Sequence, residues 1–299
     1  MQKNANLERF CSLVIGTNLT DFEVDGMKSF VREKRTVAGN YMEIDLYVRT
    51  EEQERACRMP RKRRNYISRP SQNNWNDKKS RRYAKLLIYA NFRKDDYYLT
   101  LTYANEHLPD TPVQAKKDQD NYLRKLKRLY EKQDQELKYM WFTSYQFAED
   151  TGYIKRIHHH VLINGVVDRD LIEDCWSKGR GKSKEKIGRT DCRRIQPGKM
   201  NELEELANYL TNQEKHENGR WKKGQKRWSS SKNLVKPYET KNDYKWSQRK
   251  LAEIGRLGDE ESILAKLPGN YRVIGDLKAK YTEETGWYVK LVVMKMEDT

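Results

Sequence analysis

Three consecutive histidines, His158, His159 and His160, have the residue type and spacing that best suit metal binding in this sequence. They lie in the segment IHHHVLING, residues 157–165, whose apolar residues predict a β-strand. Successive residues of a strand point to opposite faces, so His158 and His160 should project together while His159 points away. Two imidazoles on one face can hold a single divalent ion.

Glu149 supplies a carboxylate nine residues before His158. A strand predicted over residues 138–147 ends just before it, and the intervening DTGYIKR contains a glycine, which is typical of a hairpin loop. A hairpin would return the chain so that Glu149 joins the two histidines. Two histidines and one carboxylate leave coordination positions open, as catalytic ions that polarise a phosphoryl oxygen require. The alternative is an accidental histidine run or a tag, although this run lies inside an apolar strand.

Tyr209 is a candidate nucleophile. It lies on an amphipathic helix predicted over residues 198–213, one residue before the apolar Leu210, at the border between the packed and open faces. A phenol ionises at about pH 10, so it needs a cation, a metal or a base nearby to attack a phosphodiester. The product would be a covalent phosphotyrosine that conserves the bond energy for rejoining. Because the chain has 19 tyrosines, position alone leaves a core or stacking role open.

The elements that must position these residues follow from periodicity. Strands are predicted over residues 41–49, 97–103, 138–147, 157–165 and 194–197, with a last pair around YRVIG and GWYVKLVV. Helices are predicted over residues 113–133, from the N-cap Asp168 onward, and over residues 198–213. Strands this close in sequence, mixed with helices, predict an α+β domain built on an antiparallel sheet.

The charge balance favours a polyanionic partner. Lys and Arg number 60 against 44 Asp and Glu, a formal net charge of +16, and nucleic acid is the commonest partner of such a surface. Twelve Lys or Arg residues lie between Arg55 and Lys85 against one acid, Asp77. This block is predicted to be an arm or a helix that orders on a phosphate backbone, or else a solvated linker.

Other features bear on compartment and cofactors. The four cysteines form no CxxC pair, which indicates reduced thiols rather than a zinc cage or disulfides. We expect a soluble cytoplasmic protein, because no apolar run is long enough to span a membrane and no secretory leader pattern is present. The segment GRGKS, residues 179–183, lacks the first glycine of a phosphate-binding loop, since Trp176 stands at that position. No nucleotide cofactor or ATPase activity is therefore predicted.

Four blocks of the sequence resemble the HUH endonucleases, and specifically the rolling-circle replication-associated proteins of small bacterial and phage elements. These blocks are YLTLTY (98–103), IHHHVLI (157–163), ELANYLTNQ (205–213) and RWSSSKNLVKP (227–237). The resemblance covers about residues 92–237, roughly half of the chain. The histidine block is its most specific part, and the tyrosine block is the weakest.

The resemblance implies a sheet of about five antiparallel strands and an enzyme that nicks and rejoins single-stranded or hairpin origin DNA. It implies a Mg or Mn ion on His158, His160 and Glu149, with Tyr209 as the nucleophile. The break would leave a 5′-phosphotyrosine and a free 3′-hydroxyl. Rival interpretations are a relaxase or transposase of the same single-tyrosine class, and a non-catalytic single-strand binder.

Two positions depart from the family pattern. The residue between the two histidines is usually apolar but is His159 here, and the lysine usual three residues after the tyrosine is replaced by Asn212. Lys215 could take the role of that lysine only if the helix ends early.

The resemblance also suggests DNA contacts around this centre, although each residue could equally be a solvated charge or a packing aromatic. Phosphate contacts are expected from Lys155, Arg156, Arg193, Arg194, Arg227 and Lys232, and base stacking from Trp221 and Trp228. We predict a strand region and basic arm over residues 1–85, the nuclease domain over 86–240 and an extension over 241–299. Without a helicase domain, strand separation would require a host helicase.

Overall fold

The computed structural model describes residues 28–59, 70–147, 154–179, 181–198, 203–211 and 228–296. These residues form two compact units. The terminal unit contains residues 28–37, 41–59 and 238–296, and the central unit contains residues 38–40 and the described residues between 70 and 237. Each unit is an antiparallel sheet with helices, which confirms the predicted α+β class. The three-part division of the chain stays a prediction.

Strands and helices are numbered along the described chain. The strands are β1 Ser29–Ala38, β2 Tyr41–Thr50, β3 Tyr97–Thr102, β4 Tyr139–Phe147, β5 Ile154–Ile163, β6 Ser177–Lys178, β7 Glu185–Lys186, β8 Thr190–Arg194, β9 Trp228–Ser230, β10 Tyr238–Asn242, β11 Tyr271–Val273, β12 Lys278–Thr282 and β13 Gly286–Lys295. The helices are α1 Glu51–Arg58, α2 Pro70–Asn91, α3 Pro112–Glu131, α4 Arg169–Asp174, α5 Glu204–Thr211, α6 Gln248–Leu257 and α7 Glu260–Leu264. Short 3₁₀ turns occur at Asn105–His107 and Gly181–Ser183.

The central unit is built on a five-stranded sheet in the order β8-β3-β5-β4-β9, with antiparallel pairing throughout. The predicted strand number is thus confirmed. The histidine strand β5 lies in the middle of the sheet, where strands on both sides hold its backbone. Side chains of β3 alternate between buried and half-buried along its length, as the pattern of YYLTLT predicts.

Helix α3 covers one face of this sheet. It begins where the Thr111 side chain accepts a hydrogen bond from the backbone N–H of Gln114 and where Pro112 occupies the first turn. Its buried Tyr122, Leu126 and Tyr130 recur at helical spacing, and they form one apolar cluster with side chains of the sheet. The members from the sheet are Tyr97, Leu99, Leu101, Trp141, Val161, Ile163 and Cys192.

Helices α2 and α5 contact each other beside the opposite face of the sheet. Glu204 at the start of α5 accepts hydrogen bonds from Lys85 and from the Tyr89 hydroxyl, both on α2. The helical alternative predicted for the basic block is confirmed for residues 70–85. For α5, the described residues are helical from Glu204 to Thr211, within the predicted range.

One predicted strand is misplaced. The edge strand is Thr190–Arg194, whereas residues 195–197 are not in a strand. Arg194 pairs with Tyr97, the first residue of β3, so the neighbouring strand offers no partner beyond it. The backbone N–H of Ile195 instead donates to the carbonyl of Asp96 in the preceding turn, and Pro197 has no N–H to donate.

The terminal unit is a separate antiparallel sheet in the order β10-β1-β2-β13-β11, with β12 also paired to β13. Leu251 and Ile254 of α6 pack on an apolar cluster from β1, β2 and β13. Its strands β2, β11 and β13 confirm the strands predicted near both ends of the sequence. Within the described residues, no helix combines the length and apolar character needed to cross a membrane.

Candidate active site

A row of side chains crosses the central sheet at the level of His160. Phe142 of β4 and Thr100 of β3 are the direct cross-strand partners of His160. Trp228 of β9 pairs with Phe142, and Asp191 of β8 pairs with Thr100, which completes the row to both edges. Directly opposed residues project from the same face of a sheet, so the row defines one surface of the central unit.

The two outer histidines share this face because they are two residues apart in β5. His160 is buried and His158 is half-buried. Burial lowers the pKa of His158, with a further decrease from the charge of Arg156. Burial also lowers the pKa of His160 to about 4, followed by the effect of His158. Both imidazoles are therefore neutral at neutral pH and have a lone pair for a ligand.

One ring nitrogen of His160 is held by the neighbouring strand. The Tyr98 hydroxyl lies 2.8 Å from His160 Nδ1, and Thr100 Oγ1 lies 3.3 Å from the same atom. The Tyr98 ring stacks on the imidazole with centroids 5.8 Å apart and an interplanar angle of 17°. Burial raises the pKa of Tyr98 to about 12, so its hydroxyl stays protonated. These contacts fix the orientation of the His160 ring and direct Nε2 away from β3.

Tyr209 stands at the other nitrogen of the same ring. Its hydroxyl oxygen lies 3.4 Å from His160 Nε2, and its ring meets the imidazole edge-on at a centroid distance of 5.3 Å. The side chain is 55% exposed, so a DNA strand can reach its hydroxyl from solvent. Ala207 and Leu210 of the same helix are buried, which fixes the helix under Tyr209.

The start of the tyrosine helix is fixed by Glu204. Burial alone would raise the pKa of this carboxyl, but the hydrogen bond and charge of Lys85, with help from Tyr89 and Asn208, bring its pKa below the usual value. The carboxylate therefore stays charged and joins α5 to α2 through polar contacts in a partly buried setting.

The donor set suits a divalent ion in its nitrogen ligands. Neutral His158 and His160 on one face can provide two imidazoles. Among the residues that the structure describes, no group of three or more His, Cys, Asp or Glu side chains could hold a metal ion. Glu149 lies outside the described residues, so its role as third ligand stays a prediction.

His159 occupies the opposite face, among the buried aromatics. Trp141 Nε1 donates to its Nδ1 at 3.2 Å, and Thr143 Oγ1 lies 3.0 Å from that atom. The Tyr103 hydroxyl lies 3.2 Å from Nε2, and Trp176 packs edge-on against the ring. Complete burial, and then the neighbouring histidines, lower the pKa of His159 to about 3. This histidine is thus a neutral core residue that has found hydrogen-bond partners for both nitrogens.

The residues predicted to contact DNA are placed unequally around the row. Arg156 is exposed on the His158 face of β5, and the neighbouring Lys155 is also exposed. Arg193 is exposed, opposes Tyr98 and forms an ion pair with Asp191. Arg194 is on the other face.

Arg194 lies 4.1 Å from the centroid of the Tyr97 ring and donates to the carbonyls of Asp95 and Gly165. Lys232 is exposed in the turn after β9. Outside the described residues lie Trp221, Arg227, Asn212 and Lys215.

Tyr98, Thr100 and Asp191 are site residues that sequence reasoning missed. The signal for two of them was present, because alternation in YYLTLT places Tyr98 and Thr100 together on the less apolar face of β3. Their nearness to His160 depends on the register between β3 and β5, which the sequence of either strand alone does not give.

Comparison with known proteins adds an independent observation. Residues 96–242 match the family model of the ORF2-type replication-associated proteins. The match spans just under half of the chain and includes all five strands of the central sheet, both outer histidines and Tyr209. No curated protein and no solved structure matches the chain. The family match supports a replication initiator.

Proposed function

We propose that this protein nicks and rejoins single-stranded origin DNA to initiate rolling-circle replication. Tyr209 is the nucleophile, and His158 and His160, together with Glu149, hold a Mg or Mn ion. The observation that carries the proposal is the contact between the exposed Tyr209 hydroxyl and His160 Nε2, at 3.4 Å, in a chain that matches a replication-associated family. A structural tyrosine would have no need to expose its hydroxyl beside a neutral histidine.

The reaction exchanges one phosphodiester for another. The Tyr209 oxygen attacks phosphorus and forms a P–O bond, while the bond from phosphorus to the DNA 3′-oxygen breaks. The phenolic proton passes to solvent, and the departing 3′-oxygen takes a proton from solvent. Attack of a 3′-hydroxyl on the phosphotyrosine reverses these steps and rejoins DNA. A divalent ion bound at the histidines would polarise a phosphoryl oxygen and neutralise charge during the exchange.

Other side chains on the same face prepare this exchange. Tyr98 and Thr100 hold His160 Nδ1, which leaves Nε2 available on the Tyr209 side. Arg156 and Arg193 are exposed on this face and can bind the phosphates on either side of the broken bond. His159 takes no part, because it is buried on the other face.

The family match supports replication over mobilisation or transposition as the purpose of the reaction. The substrate is single-stranded or hairpin origin DNA, and a host helicase would separate the strands ahead of the new 3′-end. A cytoplasmic location is consistent with this role.

The proposal is tested by trapping the covalent intermediate. The protein is incubated with labelled random-sequence single-stranded oligonucleotides in Mn²⁺, and adducts are separated on a denaturing gel. We expect an adduct with the parent protein, none in chelator, and none with Tyr209→Phe. The control Tyr244→Phe alters a tyrosine that is 99% exposed in the terminal unit, and it should form the adduct like the parent. Undiminished adduct formation by Tyr209→Phe would overturn the proposal.

A further inference from the structure

Helix α2 presents an exposed stripe of aromatic and basic side chains. Trp75 is 57% exposed and Tyr83 is 39% exposed, with the exposed Lys79 halfway between them. Residues four apart lie on one helix face, so the three side chains form a line about 12 Å long. The Lys79 ammonium lies 5.1 Å from the centroid of the Trp75 ring. The stripe thus alternates ring, cation and ring.

The stripe continues onto the central sheet through Trp228. The Trp228 and Tyr83 ring centroids are 6.2 Å apart, and Trp228 Nε1 donates to Ser80 Oγ at 3.1 Å. Trp228 is also the end of the row that contains His160, with Phe142 between them. Neighbouring strands lie about 4.8 Å apart, so the backbone of Trp228 is about 10 Å from that of His160.

We propose that Trp75, Lys79, Tyr83 and Trp228 bind an unpaired DNA strand and lead it toward Tyr209. The direction of the strand rests on the proposed function, whereas the binding itself does not. Exposed rings offer faces on which bases of any sequence can stack, and the ammonium between them can neutralise a phosphate. Lys78 is exposed beside the stripe and adds positive charge.

Single-stranded DNA fits these side chains better than a protein partner or duplex DNA. A protein partner would favour a contiguous apolar patch, but here the two rings of α2 are separated by a lysine. The bases of duplex DNA are stacked on each other, so their faces are not available to aromatic rings. Helix α2 precedes the segment that matches the replication-associated family, so the stripe is a feature of this chain that the match does not cover.

The test measures binding of labelled oligo-dT, and of a matched duplex, by fluorescence anisotropy in chelator. The double variant Trp75→Ala/Tyr83→Ala should bind oligo-dT at least tenfold more weakly and duplex nearly as well as the parent does. Trp75→Phe/Tyr83→Phe keeps both rings and should retain the parent affinity, which separates stacking from loss of fold. Lys79→Ala should reduce the dependence of binding on salt concentration.

Matched controls come from surfaces away from the stripe. Tyr244→Ala removes an exposed ring from the terminal unit, and Lys127→Ala removes an exposed lysine from α3; both should bind like the parent. Equal oligo-dT affinity for the double variant and the parent would overturn the proposal. An equal loss for oligo-dT and duplex would overturn it as well, in favour of a duplex surface. A lost affinity regained neither by the phenylalanine pair nor by single variants would also overturn it.

Binding in chelator requires no nicking, so this result is independent of the proposed reaction. Oligo-dT binding that depends on the two rings, in a protein that forms no adduct, would keep the stripe and reject the nickase. Adduct formation with ring-independent binding would keep the nickase and reject the stripe.

Discussion

The two faces of strand β5 treat the same side chain in opposite ways. His159 has hydrogen-bond partners at both ring nitrogens from Trp141, Thr143 and Tyr103, and it is closed in by aromatic rings. His160, one residue later, has protein partners that hold Nδ1, while its Nε2 is beside the exposed Tyr209 hydroxyl. Residue type therefore does not separate a structural histidine from a reactive one. Strand alternation and the neighbours on each face make the difference.

The largest expected effect is on the Tyr209 face. His160→Ala removes a proposed metal ligand, so the initial rate of adduct formation in Mn²⁺ should fall on the order of 10³-fold, or about 4 kcal/mol in barrier height. The matched control is His107→Ala, which alters a half-buried histidine in the 3₁₀ turn Asn105–His107. A rate for His160→Ala close to that of the control would remove the distinction between the faces.

On the other face, His159→Ala should act on stability instead. It leaves a cavity among the aromatic rings and removes partners from Tyr103 and Thr143, so the free energy of unfolding should decrease by about 3 kcal/mol. Urea unfolding followed by tryptophan fluorescence measures this loss. Folded His159→Ala should still form the adduct, and His159→Leu should recover part of the stability by filling the space. Loss of adduct formation in a folded His159→Leu variant would give this histidine a catalytic role.

A smaller effect is expected from the residue that orients His160. Tyr98→Phe removes the hydroxyl at Nδ1, and the affinity for Mn²⁺ should decrease about tenfold, as for other groups that position metal ligands. Free Mn²⁺ measured by electron paramagnetic resonance gives the affinity directly. Tyr97→Phe, one residue earlier and on the opposite face, is the matched control. Equal affinities for the two variants would show that Tyr98 does not position the ligand.

The smallest effect concerns Asp118, which is buried on α3 near the His159 face. Burial raises its pKa, against the opposing effects of Lys178, Tyr103 and His107. A raised carboxyl pKa contributes stability that is complete below the unfolded-state value of about 3.9 and is lost as pH rises through the folded-state value.

Because asparagine does not titrate, the stability of the parent relative to Asp118→Asn should increase as pH falls toward about 4, by about 1 kcal/mol or less. Urea unfolding at several pH values measures this difference. Asp120→Asn, exposed on the same helix, controls for loss of a carboxylate. A difference that shrinks as pH falls would contradict the assigned direction.

Local periodicity predicted most of the central sheet and the sides of its histidines. The alternation in YYLTLT and HHH depends on residues next to each other in sequence, and the structure has the predicted strands there. The contact of Tyr209 with His160 could not be predicted in this way. It depends on where α5 lies, which is fixed by contacts of Glu204 with Lys85 and Tyr89, more than a hundred residues away in sequence.

Chain position also misled at one edge of the sheet. Arg194 follows Arg193 and was expected to contact phosphates, but strand alternation turns it to the other face, where it stacks on Tyr97 and binds two loop carbonyls. Residue order gave the charge of this segment but not which of its charges faces the histidines.

The central claim is that the Tyr209 face of β5 performs the covalent step. Mass spectrometry of peptides from the protein–oligonucleotide adduct tests it directly, after nuclease digestion leaves a short nucleotide on the attached residue. The account predicts that the peptide containing Tyr209 carries the nucleotide through its phenolic oxygen. A nucleotide on Tyr98, on another tyrosine or on a serine, with the Tyr209 peptide unmodified, would contradict it.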